Sequence, residues 1–505
     1  MSRLENVQIL QDSFGAIAKN SQMRFKWALY VILSNDYDTQ RNLLPSNNLG
    51  NLREILNQMG KKLQNNRPDY FFTTFPLQKD QIGLPGKAIP EQYYEEQRHA
   101  SDLVNCYAND NNSTFLNLRS SDPNVRKNSY AKLQIPDNEL IKSVIKIIRL
   151  KIRIYQSKQS EYKKSDGISL GKLFNDQDFN NMINVFAKKY KQKHATKDTD
   201  GSLFPQDLYI PYGINLNKVY FEEDTKEPAD ILKRFLKFLQ LHELSDKLLI
   251  LPTTKQNTGH LVFMKNEKEP KPAIFHLAGA GREYLSVDYI AMLAHELGHA
   301  FQNYLGKGIF SPLSTYNGVL DRNLVEYPST LFEQLFFTPE VLQHLGLNKK
   351  LVNEIMNKKS IELIHKLSYA EFEYRLYELA EKGKLKENYI GQIWAKILNK
   401  YYGVSYSPGE LDNSWQYLSS RHLLFGHIFK SYLLGHVLAK DTINKLREDL
   451  DKKNWVGTEE FGKKFLELFK KLFEKGPLTT LPQIEKILEA KIQDLIKTEL
   501  ESEIT

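Results

Sequence analysis

The chain has 505 residues, and its 69 Lys+Arg against 61 Asp+Glu leave a formal net charge of +8. Hydrophobic residues at 41% and charged residues at 26% are the balance of a soluble globular protein, which excludes a collagen-like, low-complexity or wholly disordered chain. Cys106 is the only cysteine, so a disulfide scaffold is excluded too, and the length allows about three domain-sized units with a core that needs no staple.

The N-terminal stretch MSRLENVQILQDSF carries Glu5 and Asp12, lacks the apolar region of a secretory signal and has too few arginines for a mitochondrial presequence. Trp27–Leu33 is the longest apolar run, far short of the roughly 18 residues that cross a bilayer, so no transmembrane segment is expected. Residues 34–136 read as turn-rich, with SNDYD, LLPSNNLGN, NNRPDYFF, YANDNNS and SSDPN in succession. Residues 138–163 place Ile, Val and Leu at three- and four-residue spacing with Lys and Arg between them, which predicts an amphipathic helix with a basic face. Such a face suits an acidic partner or a membrane surface, but a solvated outer face is the commoner meaning of a charged helix side. The positive charge is spread along the chain and no nucleic-acid motif accompanies it, so no nucleic-acid partner is expected.

Residues 195–215 read as a long connection, and a helix is predicted from Pro228 to about His242. The apolar runs LLILP, HLVFM and AIFHL between 247 and 278 predict two or three strands of one small sheet. HLAGAGREYLS follows as a loop, and Ser286 is a good N-cap for a helix over about 286–305. Beyond 300 the pattern is helical, with breaks at Pro312, Pro328, Pro408, Pro477 and Pro482.

The predicted helix contains His295-Glu296-Leu297-Gly298-His299. Histidines at i and i+4 stand on one helix face a turn apart, so both imidazoles can reach one metal ion. Glu296, beside the first ligand, can take a proton from water activated there. A catalytic zinc takes three protein ligands and keeps a position open. Downstream, DRNLVEYPSTLFEQLF supplies Glu326 and, seven residues on, Glu333. Two helical turns separate these carboxylates, so one can bind the metal while the other orients a histidine ring through its second nitrogen.

HELGH with the downstream VEYPSTLFE resembles the thimet oligopeptidase and mitochondrial intermediate peptidase family of zinc metallopeptidases, as does the stretch LSVDYIAMLAHELGHAFQNYL. The resemblance implies His295, His299 and Glu326 as zinc ligands, Glu296 as general base and Glu333 as a support behind a ligand. In SSRHLLFGHIFKSYLLGHVLA (Ser419 to Ala439) it implies that Tyr432 and His422 stabilise the oxyanion. There the chain departs from the family: Phe425, Phe429 and Lys430 stand where tyrosines are expected, and Phe lacks the O–H donor. His427 and His436 lie close by and read as helix histidines without a catalytic role. The N-terminal half is also shorter than in the family's usual members.

The expected fold is mainly α, with two helical lobes around a substrate cleft and a small β-sheet beside the helix of the histidine pair. The N-terminal lobe is expected over 1–215 and the catalytic lobe over 216–505. The expected activity is zinc-dependent hydrolysis of peptide bonds in short or unfolded peptides, with one Zn2+ per chain. A catalytically impaired subunit of a larger assembly is the second reading, suggested by the altered loop and the shortened half. The resemblance implies a mitochondrial location, with the cytosol as the alternative.

Overall fold

The computed structural model describes residues 91–118, 120, 122–157, 170–194, 203–209, 216–221, 227–253, 259–264, 270–277, 285–305, 324–359, 361–406, 409–418, 423, 428–450, 455–473 and 481–504. The readings of 1–90, 158–163 and 195–202, and the breaks at Pro312, Pro408 and Pro477, fall outside the described residues. The elements that matter here are the helices α1 (Glu91–Asn117), α2 (Asn138–Ser157) and α3 (Gln177–His194), then β1 (Leu249–Thr253), β2 (Gly259–Met264) and β3 (Pro270–Leu277). They are followed by α4 (Val287–Leu305), α5 (Tyr327–Phe336), α6 (Glu362–Glu381), α7 (Glu387–Tyr402), α8 (Ile428–Glu448) and α9 (Glu459–Phe473). The protein is mainly helical, as expected.

The turn-rich reading of 34–136 fails over α1. YANDNNS lies inside this 27-residue helix, because Ala100, Val104 and Tyr107 recur at helical spacing and are buried. Burial of that stripe outweighs the weak helix propensity of Asn and Asp. α2 is the predicted basic helix. Asp137 caps it, its Oδ1 accepting from the amides of Glu139 (3.1 Å) and Leu140 (3.0 Å). Leu140, Val144, Ile147 and Ile148 are buried, while Lys142, Lys146 and Arg149 are exposed.

The chain forms two compact units. Among the described residues, the first comprises those of Leu216–Met356 and Leu438–Glu489; the second comprises those of Ile89–Asn215, Asn357–Val437 and Ala490–Thr505. Residues 357–437 cluster with 89–215, because α6 packs on α2 and α7 packs on α3.

In the first unit the strands run in the order β1-β3-β2. β1 is parallel to β3, with Leu249 opposite Ala273, and β2 is antiparallel to it, with Gly259 opposite Phe275. α4 packs along β2 and β3, as the sequence predicts. Ser286 caps α4, its Oγ accepting from the Tyr289 amide at 3.3 Å. The chain there is also tied to the segment before the sheet: the Phe221 amide donates to the Leu285 carbonyl (3.1 Å) and the Val287 amide to the Val219 carbonyl (2.8 Å). Phe332 on α5 sits among Phe301, Phe465 and Phe469, with ring centroids 5.4 to 5.6 Å away. Such aromatic pairs contribute about 0.5–1.5 kcal/mol each beyond their buried area, so this cluster clamps α5 between α4 and α9.

The second unit is stabilised by apolar faces and by two buried polar groups. Glu371 on α6 accepts from Lys400 Nζ (2.6 Å), Tyr401 O–H (2.8 Å) and Arg375. A buried carboxylate needs such pairing, since an uncompensated one costs several kcal/mol. Nearby, His365 Nδ1 meets the Tyr402 hydroxyl at 2.7 Å, and that hydroxyl lies 3.1 Å from Ser368 Oγ.

Candidate metal centre

Two helices of the first unit meet at the site. α4 carries the histidine pair, and α5 begins with Pro328 in its first turn, a residue suited to that place because its missing N–H would be unpaired there anyway. Their closeness depends on Gly298. A Cβ there would lie 2.1 Å from the Pro328 carbonyl oxygen and 2.5 Å from Ser329 Cα, so only glycine lets the start of α5 lie on this turn of α4. The glycine between the histidines is therefore the contact that brings Glu326 to them.

His295, His299 and Glu326 each offer one ligand atom, and these atoms all lie within 4.8 Å of one another. Glu326 Oε2 is 3.1 Å from His295 Nε2 and 3.4 Å from His299 Nε2. Ligand atoms about 2.0 Å from a tetrahedral zinc are about 3.3 Å apart, so the donor set and its spacing fit that metal. Two imidazoles and a carboxylate also leave the fourth position open.

The surroundings orient these donors. His295 Nδ1 lies 3.1 Å from Glu333 Oε2, so the ring N–H points at Glu333 and Nε2 faces the other ligands. Ser329 Oγ donates to Glu326 Oε2 (3.1 Å) and to the Glu326 carbonyl (3.0 Å), holding the carboxylate's rotamer. Next to it, the Tyr327 hydroxyl pairs with Thr442 Oγ1 at 2.6 Å, and Thr442 in turn donates to the Leu438 carbonyl. This buried chain ties the start of α5 to α8.

The electrostatics follow from these partners. Burial pulls the His295 pKa down, but hydrogen bonds and charge from Glu326 and Glu333 override it and push it up to about 10 without a metal ion. Burial opposes ionisation of Glu326, yet His299 and His295 hold it well below the usual carboxylate range. The pocket thus keeps an anionic oxygen beside two imidazoles.

Of the residues singled out in the sequence, His295, His299, Glu326 and Glu333 come together. Glu296 follows His295 on α4 and is half-buried. Tyr432 is half-buried near the start of α8, within the second unit. His422 and Phe425 lie outside the described residues. Phe429, where a tyrosine was expected, is buried and stacks on Tyr369 with centroids 4.8 Å apart, so its ring is a packing element of the second unit. Sequence reasoning missed Ser329, Tyr327 and Thr442. The first two adjoin Glu326 and were within reach; Thr442 lies 115 residues from Tyr327, and nothing local marks it.

Among the described residues no helix is long and apolar enough to cross a membrane. No curated protein matches the chain. Among solved structures, PZ peptidase A with an inhibitor is similar at a TM-score of 0.55 and 14% identity, covering 99% of this chain and 97% of that one. Pyrococcus furiosus carboxypeptidase is similar at 0.51 and 13%, covering 98% of each. At such identities the likeness is one of fold, and the chain spans nearly the full length of both, so relative to them it is not shortened. Residues 256–469, which contain the histidine pair, Glu326 and Glu333, match the family model described as Peptidase family M3.

Proposed function

We propose that this chain is a zinc-dependent peptidase that hydrolyses bonds in short or unfolded peptides, an endopeptidase or oligopeptidase in type. One observation carries the reading: two imidazole nitrogens and a carboxylate oxygen converge within 4.8 Å of one another, the oxygen 3.1 and 3.4 Å from the nitrogens, with Glu333 behind His295. The peptidase family match over this segment and the peptidase-like fold support it. Zinc, when bound, polarises the scissile carbonyl and makes a water acidic enough to lose a proton near neutral pH. Glu296 is the proton carrier of the proposal: its carboxylate takes the proton of the attacking water and delivers it to the leaving amine nitrogen. His295, His299 and Glu326 are the proposed ligands, with Glu333 and Ser329 fixing their orientation. Tyr432 and His422 are proposed, from the resemblance of their segment, as donors to the carbonyl oxygen as it gains negative charge.

The test is cleavage of a library of short quenched-fluorescent peptides, with metal content measured on the same preparations. The expected result is about one zinc per chain, cleavage that stops with a chelator, and loss of cleavage in Glu296→Gln with zinc retained. Stoichiometric zinc with no cleavage of any peptide overturns the enzyme reading and leaves the binding-subunit reading. Absence of zinc binding overturns the zinc-enzyme reading as well.

A further inference from the structure

The basic helix α2 has no part in the metal centre, yet it borders a cavity of its own. Within the second unit a half-open cavity of about 360 Å3 is lined by Lys142, Lys146 and Arg149 from α2 and by Lys386 at the start of α7. Ile145 and Leu150, both buried, also line it, and among the described residues Glu387 is the one carboxylate in the lining. Among the described lining residues four cations face one anion, and with Glu96 paired to Lys146 an excess of two positive charges remains around this volume. The size is that of a small-molecule site, too small for the face of a folded protein.

The two walls are tied together. Arg149 Nη2 donates to the Leu385 carbonyl at 2.8 Å, which fixes the residue before Lys386 against α2. Lys146 pairs with Glu96, so part of its charge is already answered. Lys142 and Lys386 are exposed. Solvated lysines along a helix need no ligand; lysines from two elements around one concave volume concentrate positive potential there.

We propose that this cavity binds a small phosphate-bearing polyanion, such as a polyphosphate or the phosphates of a nucleotide. The chemistry favours phosphate over carboxylate. A planar carboxylate is best held by a free arginine fork, whereas Arg149, the only arginine among the described lining residues, has one arm on the Leu385 carbonyl. Lysine ammoniums act as point charges and suit the spread oxygens of a phosphate chain. This site is independent of the peptidase reading, and neither stands or falls with the other.

The test is titration calorimetry of the full chain with tripolyphosphate and, separately, with citrate, both at 0.15 M salt to screen weak surface attraction. The expected result is saturable binding of one tripolyphosphate per chain, tighter than citrate. Lys142→Glu with Lys386→Glu should weaken it about tenfold or more, whereas Lys382→Glu, an exposed lysine paired with Glu378 outside the cavity, should leave it within about twofold. A circular-dichroism melt checks that the variants fold, and if the double variant does not, Lys142→Gln alone, expected to weaken binding severalfold, replaces it. Heat that never saturates, equal weakening by Lys382→Glu, or no effect of the cavity variants overturns the site. Citrate binding as tightly as tripolyphosphate overturns the phosphate assignment.

Discussion

Two histidines, one in each unit, are pushed in opposite directions by their neighbours. His295 touches two carboxylates, and its pKa rises to about 10; His365 touches the neutral hydroxyl of Tyr402, and its pKa falls to about 4. In both, loss of water is the largest single influence and disfavours the charged ring. Around His365 the charge of Glu362 pulls upward and that of Lys366 downward, and desolvation, the largest influence, wins. Around His295, Glu326 and Glu333 together outweigh it. The second unit holds a neutral imidazole inside a hydrogen-bonded cluster that stabilises packing. The first holds its imidazole between two carboxylates, Glu326 and Glu333, the arrangement on which the proposed metal site rests.

The contrast can be broken by substitution. Glu296→Gln should lower peptide cleavage about a thousandfold or more while zinc content stays at that of wild type, the scale of a lost general base. Equal activity in the variant would take Glu296 out of the mechanism. In the second unit, His365 predicts a pH effect with a definite sign. Its unfolded pKa is near 6.5 and its folded pKa about 4, so the unfolded chain takes up the proton first as pH falls. The contribution of His365 to stability is therefore full above about pH 6.5 and is lost between 6.5 and 4, by up to about 3 kcal/mol. Denaturant melts of wild type and His365→Gln across that range should differ in slope; parallel curves would remove His365 as the cause.

Glu333→Ala should weaken zinc binding by about 10- to 100-fold, the usual consequence of removing a ligand's supporting carboxylate, and a competition titration with a chromogenic chelator measures it. An unchanged affinity would mean that His295 needs no support. The smallest effect expected is that of Tyr327→Phe, which removes the hydroxyl bonded to Thr442 and should cost about 1 kcal/mol in urea melts. A much larger loss of zinc affinity in that variant would show that the α5–α8 tie positions Glu326 as well as stabilising the unit.

Much of the site is legible in the chain because its spacing is helical. His295 and His299 are one turn apart, and Glu326 and Glu333 two turns apart; once each pair is in or at the edge of a helix, the faces follow from geometry. The helix start at Ser286 and the three strands were equally local, marked by a cap and by apolar runs between turn residues. The turn-like reading of α1 went wrong for the opposite reason. Its Asn-rich surface hides a buried stripe whose energetic weight depends on what packs against it. The division into units was also out of reach, because residues 357–437 join 89–215 through contacts between segments far apart in sequence.

The order of residues alone settles which groups are available to the chemistry: two imidazoles on one helix face, a carboxylate beside them and two more downstream. Folding settles which carboxylate does what. Glu326 becomes the oxygen between the imidazoles and Glu333 the acceptor behind His295, because Gly298 has no side chain and the start of α5 can press onto α4 there. A helix repeat specifies directions within one element; only the packing of one element on another specifies the ångströms between them.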